Sequence, residues 1–137
     1  MKKAAVIVGA RPQFIKTAPL ILELARHFNP ILIHTGQHYD YMMSENFFSE
    51  LKLPDPDYHL NTTGGSHGRQ TGRMIEGIES VFSFEKPDLA IVIGDTNSTL
   101  AGSVAASKLK IPVIHVEAGV RSKDRNLPEQ INRVMTD

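Results

Sequence analysis

The chain contains no cysteine, which excludes disulfide staples and thiolate metal sites and is compatible with a reducing compartment. It has no excess charge of either sign, since 15 Lys and Arg meet 15 Asp and Glu. The basic footprint of a general nucleic-acid binder is therefore missing, and an anionic ligand must be caught by local groups. Long hydrophobic runs are missing as well. The N-terminal MKKAAVIVGARPQ breaks at Gly9-Ala10-Arg11-Pro12 after about five apolar residues, too few for a signal-peptide core and far below the ~20 of a membrane span. That run reads as a buried first strand, and the chain as a soluble, cytoplasmic protein with no membrane or nucleic-acid partner. A length of 137 residues fits one domain with a real core, and a hydrophobic content of 41% argues against disorder.

What is present alternates between two periods. Ala4 to Val8 is a continuous apolar run, as expected for a strand covered on both faces of a parallel sheet. After Pro12, the spacing of Ile15, Ala18, Leu22 and Ala25 predicts one buried face of a helix ending near Phe28. Ile31 to Thr35 reads as a second strand, and Ser44 to Leu51 as a short helix closed by Pro54 and Pro56. NTTGGSHG (61–68) reads as a connecting loop. Met74, Ile78 and Val81 mark the buried stripe of a helix over 69–84, stopped by Pro87. Further along, Leu89 to Ile93 predicts a strand, Thr96 to Lys110 an alanine-containing helix, and Pro112 to Val116 a β-branched strand. A last helix begins near Glu129. Strands separated by helix-length segments imply an α/β, Rossmann-like doubly wound parallel sheet.

Ligands of such sheets bind beyond the carboxyl ends of the strands. Arg11, the pair Gln37 and His38, Asp95 and Glu117 each follow a predicted strand and so reach one edge. A single helix joins the last two strands, which predicts that they are neighbours and that Asp95 and Glu117 share a crevice. Two carboxylates at one edge suit general acid–base work, because repulsion and burial separate the pKa values of such pairs. The competing reading is structural: Asp95 caps the helix beginning near Thr96, and Glu117 pairs with Arg121. Gly94 and the Thr96, Asn97, Ser98 cluster equally supply amides and hydroxyls for an anion. Arg11 and Lys16 flank a strand-to-helix turn, within reach of a phosphate or sugar oxygen, or else they are simply solvated. GARPQ is neither a GxGxxG fingerprint nor a P-loop. The six histidines show no paired ligand spacing, so no metal is expected. His38 and His67 are loop residues open to ligand, whereas His34 and His115 read as hydrogen-bonded strand residues.

The motifs GARPQFIK (9–16), TGQHYDYMMSENFF (35–48), GDTNSTLAG (94–102), HVEAGVRS (115–122) and PEQINRVMTD (128–137) occur in this order. In combination they resemble the non-hydrolysing UDP-N-acetylglucosamine 2-epimerases. The resemblance implies one half of a two-domain glycosyltransferase-B-like fold, with a UDP-sugar held between similar halves. Residues 1–137 correspond to the N-terminal half. The C-terminal domain, with most nucleotide contacts and a catalytic histidine, lies outside them, so the chain is expected to be inactive alone and homodimeric when full length. By motif match Asp95, Glu117 and Glu129 are the implied catalytic acids, and Arg11, Lys16 and His115 the implied substrate-binding residues. Gln37 and His38 match a pair that helps bind an allosteric second UDP-sugar in some members. Tyr39 and Gln130 depart from the usual arginine and glutamate of the family. No cofactor is implied. Two other readings stand beside this one: half of a glycosyltransferase of the same architecture, and a non-catalytic sugar-nucleotide-binding domain.

Overall fold

The computed structural model describes residues 1–9, 11–36, 55–62, 64–124 and 126–137, apart from the side chains of Arg11, Pro12 and Phe14. The expected helix at Ser44 to Leu51 lies outside these residues. In chain order the elements are β1 (Lys3–Val8), α1 (Arg11–Leu24), β2 (Asn29–His34), β3 (Tyr58–His59), α2 (His67–Glu85), β4 (Leu89–Ile93), α3 (Asn97–Lys108), β5 (Val113–Val116) and α4 (Pro128–Thr136). All strand pairings are parallel and the sheet order is β3-β2-β1-β4-β5, as the alternating pattern predicted. The chain winds outward from β1 through β2 in one direction and from β4 through β5 in the other. The crevice between the carboxyl ends of β1 and β4 is thus the topological switch point, where such sheets bind ligands.

Alternation along the strands sends side chains to opposite faces. On one face Ala5, Ile7, Ile33 and Val92 pack with Met74, Ile78, Val81 and Phe82 of α2 and Ala101, Ala105 and Ala106 of α3. The predicted stripe of α2 is therefore the buried one. Its start is set by Ser66, whose hydroxyl accepts from Arg69 N–H at 3.2 Å, so His67 and Gly68 belong to the helix and not to the expected loop. Thr62, in the same expected loop, is buried and donates to Thr35 O at 2.7 Å. Lys86 ends α2 in the left-handed conformation, and Pro87 follows.

On the other face Val6, Val8, Leu32, Ile91 and Ile93 pack with Ala18 and Ile21 of α1. Here the periodic reading fails in part. Ala18 is buried as expected, but Ile15 and Leu22 are 54% and 62% exposed, and the helix turns Gln13, Thr17 and Ile21 to the sheet instead. It also ends at Leu24 rather than near Phe28. The physical reason is that Gln13 finds better partners at the sheet edge than solvent offers. The two-residue β3 was not anticipated; it pairs Tyr58 with Ile33 and His59 with His34.

Candidate active site

Gln13 fastens the switch point. Its side chain, 2% exposed, accepts from Gly9 N–H at 2.7 Å and donates to Ile93 O at 2.7 Å, joining the carboxyl ends of β1 and β4. The same amide lies 3.0 Å from Thr96 Oγ1. Gly9 admits this closeness because a Cβ there would stand 2.1 Å from Ser98 Oγ and 2.4 Å from Thr35 Oγ1. Thr96 is the N-cap of α3 and forms a reciprocal capping box with Thr99. The cap proposed for Asp95 is thus filled by its neighbour, which leaves the Asp95 carboxylate for other contacts.

The expected adjacency of the last two strands holds, with Ile93 beside Val116. Asp95 and Glu117 leave those strands on neighbouring turns, and Glu117 Oε2 approaches to 4.0 Å of where a Gly94 Cβ would be. Gly94 takes φ +79°, while Glu117 takes φ +69°, a left-handed conformation that costs a non-glycine residue about 1–3 kcal/mol and that gathers at functional sites. Each carboxylate meets a cation. Asp95 pairs with Arg133 at 2.5 Å, and Glu117 with Lys16 at 2.6 Å. The anticipated Glu117–Arg121 pair is absent, because Arg121 pairs with Asp137 instead.

Arg133 arrives on α4, together with Asn132, which donates to Asp95 O at 3.0 Å and to Asn97 Oδ1 at 3.1 Å. Asn97 in turn lies 3.1 Å from His67 Nδ1 and donates to Gln70 at 3.0 Å. Glu129 lies exposed on the first turn of α4 and has no hydrogen-bond or ion-pair partner among the described residues. Because residues three and four apart share a helix face, Glu129 stands on the face by which Asn132 and Arg133 reach Asp95. Asp95 and Glu117 therefore come to one edge, and Glu129 stands on the helix face that reaches it. An open cleft of about 340 Å³ lies between α2, α3 and α4, lined by His67, Thr71, Asn97, Leu100, Ile131 and Asn132 and by none of the three acids.

His115 does not stand as a ligand-facing group. Its ring nitrogens face Gly94 O at 2.7 Å and Asp137 Oδ1 at 2.5 Å, so neither is left for substrate. Lys16 is 42% exposed at the side chain and stands beside Glu117. Arg11 opens α1, but its side chain, like Gln37 and His38, lies outside the described residues. Gln130, the departure from the family pattern, is buried and accepts from Ser122 N–H at 2.7 Å. Among the described residues no group of three or more His, Asp or Glu is placed to hold a metal, and no helix is long and apolar enough to cross a membrane. Sequence reasoning missed Gln13, Asn132, Arg133 and Asp137. The signal for Asn132 and Arg133 was their three- and four-residue spacing from Glu129.

A family model described as UDP-N-acetylglucosamine 2-epimerase matches residues 22–137. The chain belongs to the UDP-N-acetylglucosamine 2-epimerase family. Among family relatives, a UDP-N-acetylglucosamine 2-epimerase homolog of Methanococcus maripaludis is 61% identical over 98% of this chain and 38% of its own length. The UDP-2,3-diacetamido-2,3-dideoxy-D-glucuronate 2-epimerase of Pseudomonas aeruginosa is 52% identical over 98% of this chain and 39% of its own. The crystal structure of Methanocaldococcus jannaschii UDP-GlcNAc 2-epimerase in complex with UDP-GlcNAc and UDP superposes with a TM-score of 0.94 at 54% identity, covering 98% of this chain and 38% of that one. The chain thus spans less than two-fifths of the length of these epimerases. A Streptomyces glycosyltransferase, 18% identical with a TM-score of 0.63 over 99% of this chain and 43% of its own, shares the fold alone.

Proposed function

We propose that this domain is the N-terminal, acid–base half of an enzyme that interconverts UDP-N-acetylglucosamine and UDP-N-acetylmannosamine, and that it is inactive without the C-terminal nucleotide-binding half. In the proposed reaction a base removes the proton from C2, the C1–O bond to UDP breaks anti to it, and a C1=C2 double bond forms. Delivery of a proton to the opposite face of C2 and return of the diphosphate oxygen to C1 complete the inversion. Atoms and electrons balance without a cofactor. The observation that supports this reading is the meeting of the Asp95 and Glu117 turns at the edge of one sheet, with Glu129 on the face of α4 that reaches Asp95, since a carbon that exchanges its proton on two faces needs more than one acid–base group.

Lys16 fits the role of stabilising the developing diphosphate charge. Its present partner is a half-exposed carboxylate, and exposed pairs contribute only about 0–1 kcal/mol, so exchanging that partner for a phosphate is inexpensive. Arg11, at the first position of α1, has the same proposed role. Gln37 and His38 retain the proposed allosteric role, and a cytoplasmic homodimer remains the proposed state of the full-length protein. A glycosyltransferase half is the second reading, favoured only by the shared fold. It requires one base beside an acceptor, which leaves the other two acids without a task.

The test is solvent deuterium incorporation at C2 of UDP-N-acetylglucosamine, followed by NMR, for the chain alone and for the chain joined by its C-terminal half. Exchange only with both halves present is the expected outcome. No exchange by a folded complex, on this sugar or on UDP-2,3-diacetamido-2,3-dideoxy-D-glucuronate, would overturn the epimerase reading in favour of a binding domain.

A further inference from the structure

Asp137 is absent from every motif role discussed above, yet its carboxylate is the hub of a network beside the site. Oδ2 accepts from Gly119 N–H at 2.9 Å and from Arg121 Nη1 at 2.8 Å, and Oδ1 lies 2.5 Å from His115 Nδ1. The other ring nitrogen, Nε2, donates to Gly94 O at 2.7 Å, because a carbonyl can only accept. The path therefore runs from the turn carrying Asp95, through Gly94 O, His115 and Asp137, to the turn carrying Glu117, through Gly119 N–H. Both ends need fixing. Gly94, Glu117 and Gly119 all take positive φ, at +79°, +69° and +82°, so neither turn belongs to a regular ladder. The Asp137 and His115 side chains are only 19% and 8% exposed, while Gly119 and Arg121 lie at the surface, so the network sits at the rim of the sheet edge. The Gly119 amide, then Arg121, hold the Asp137 carboxyl down to about 2 against the opposing effect of burial, with His115 adding to the same direction.

We propose that Asp137, acting through His115, is a positioning residue that locks the Gly94–Asp95 and Glu117–Gly119 turns at the spacing the reaction needs. This rests on the proposed roles of Asp95 and Glu117. Neither Asp137 nor His115 handles a substrate proton on this assignment, so their removal disturbs placement rather than chemistry. A displacement of about 1 Å in such a site costs on the order of 100-fold in rate.

The experiment uses the full-length protein and two variants, Asp137→Asn and Asp137→Ala, with kcat, KM and C2 proton exchange measured per folded molecule. In parallel, the His115 ring N–H resonances are followed in protein labelled with ¹⁵N-histidine. The expected result is a kcat lowered about 10-fold in D137N and about 100-fold in D137A with KM within about twofold, together with a shift of the His115 ring ¹⁵N resonances. Wild-type kcat in the folded D137N variant would overturn the proposal, as would a loss of activity that merely tracks the unfolded fraction. If the wild-type enzyme exchanges no C2 proton, the epimerase reading fails on its own, and the ring signals still decide the Asp137–His115 lock: their shift in D137N supports it, and unchanged ring signals overturn it.

Discussion

The face of the sheet beneath α2 and α3 and the edge at the carboxyl ends of β1, β4 and β5 are built on opposite rules. The first is almost wholly apolar, with Met74, Ile78, Phe82, Ile7, Ile33 and Val92 each at 1% exposure or less. The second is a seam of polar groups that satisfy one another: Gln13, Thr96, Thr99, Asn97, Asn132, His115 and Asp137. Apolar burial is non-directional and tolerates small changes of shape, whereas a buried polar group demands a partner at a defined distance. The difference separates what keeps the domain folded from what places its carboxylates.

The largest expected effect breaks the seam and spares the face. In the full-length enzyme, Asp95→Asn and Glu117→Gln keep side-chain volume, and each should lower C2 proton exchange by about 10²–10⁴-fold, the usual contribution of a general acid or base. Circular dichroism and thermal melting should remain near wild type. Wild-type exchange in both variants would mean that neither carboxylate handles the proton.

The converse substitution breaks the face and spares the seam. Phe82 is 1% exposed within the α2 cluster, so Phe82→Ala should cost about 3–5 kcal/mol of stability in denaturant unfolding. Activity per folded molecule should change little. A change in KM or kcat beyond the folded fraction would show that the two regions are coupled through α2.

How far each region was legible follows from the same contrast. The bounds of β4, the buried stripe of α2 and the adjacency of Asp95 and Glu117 were all open to reading, because apolar periodicity and crossover rules act over short stretches of chain. The buried face of α1 was misread in part, since Gln13 and Thr17 count as polar in any periodic pattern, although their partners lie at the sheet edge and in the helix backbone. The cations facing the acids were not legible either. Arg133 lies 38 residues from Asp95, and Lys16 about a hundred from Glu117, and no local spacing rule links such pairs. Asp95 and Glu117 at one edge could be expected from strand order; the cations that hold each in place could not.

His34 sharpens the comparison at a boundary between the two regions. It is fully buried at the end of β2, stacks on His59 with ring centroids 4.4 Å apart, and accepts from Gly36 N–H through Nδ1. Burial, and then the neighbouring His59, push its pKa down from 6.5 to about 4. The unfolded chain takes up the proton near 6.5, so the stability this neutral ring contributes is present above that pH. It is lost as pH falls from there to about 4, a loss of about 3 kcal/mol by linkage. His34→Asn keeps an acceptor for Gly36 N–H and should flatten the dependence of unfolding free energy on pH between 7 and 4 by about that amount. An unchanged slope would place the acid sensitivity in another group.

The smallest effect tests the corrected face of α1. Sequence periodicity puts Leu22 on the buried stripe, where a polar replacement would create an unpaired buried amide and cost several kcal/mol. The structure puts it at 62% exposure, beyond the seam that Gln13 and Thr17 dictate. Leu22→Gln should therefore change unfolding free energy by no more than about 0.5 kcal/mol, the range of ordinary surface substitutions. A cost above about 2 kcal/mol would return Leu22 to the core and remove the reason given for the rotation of α1, because a helix that buried Leu22 could not also present Gln13 to Gly9 and Ile93.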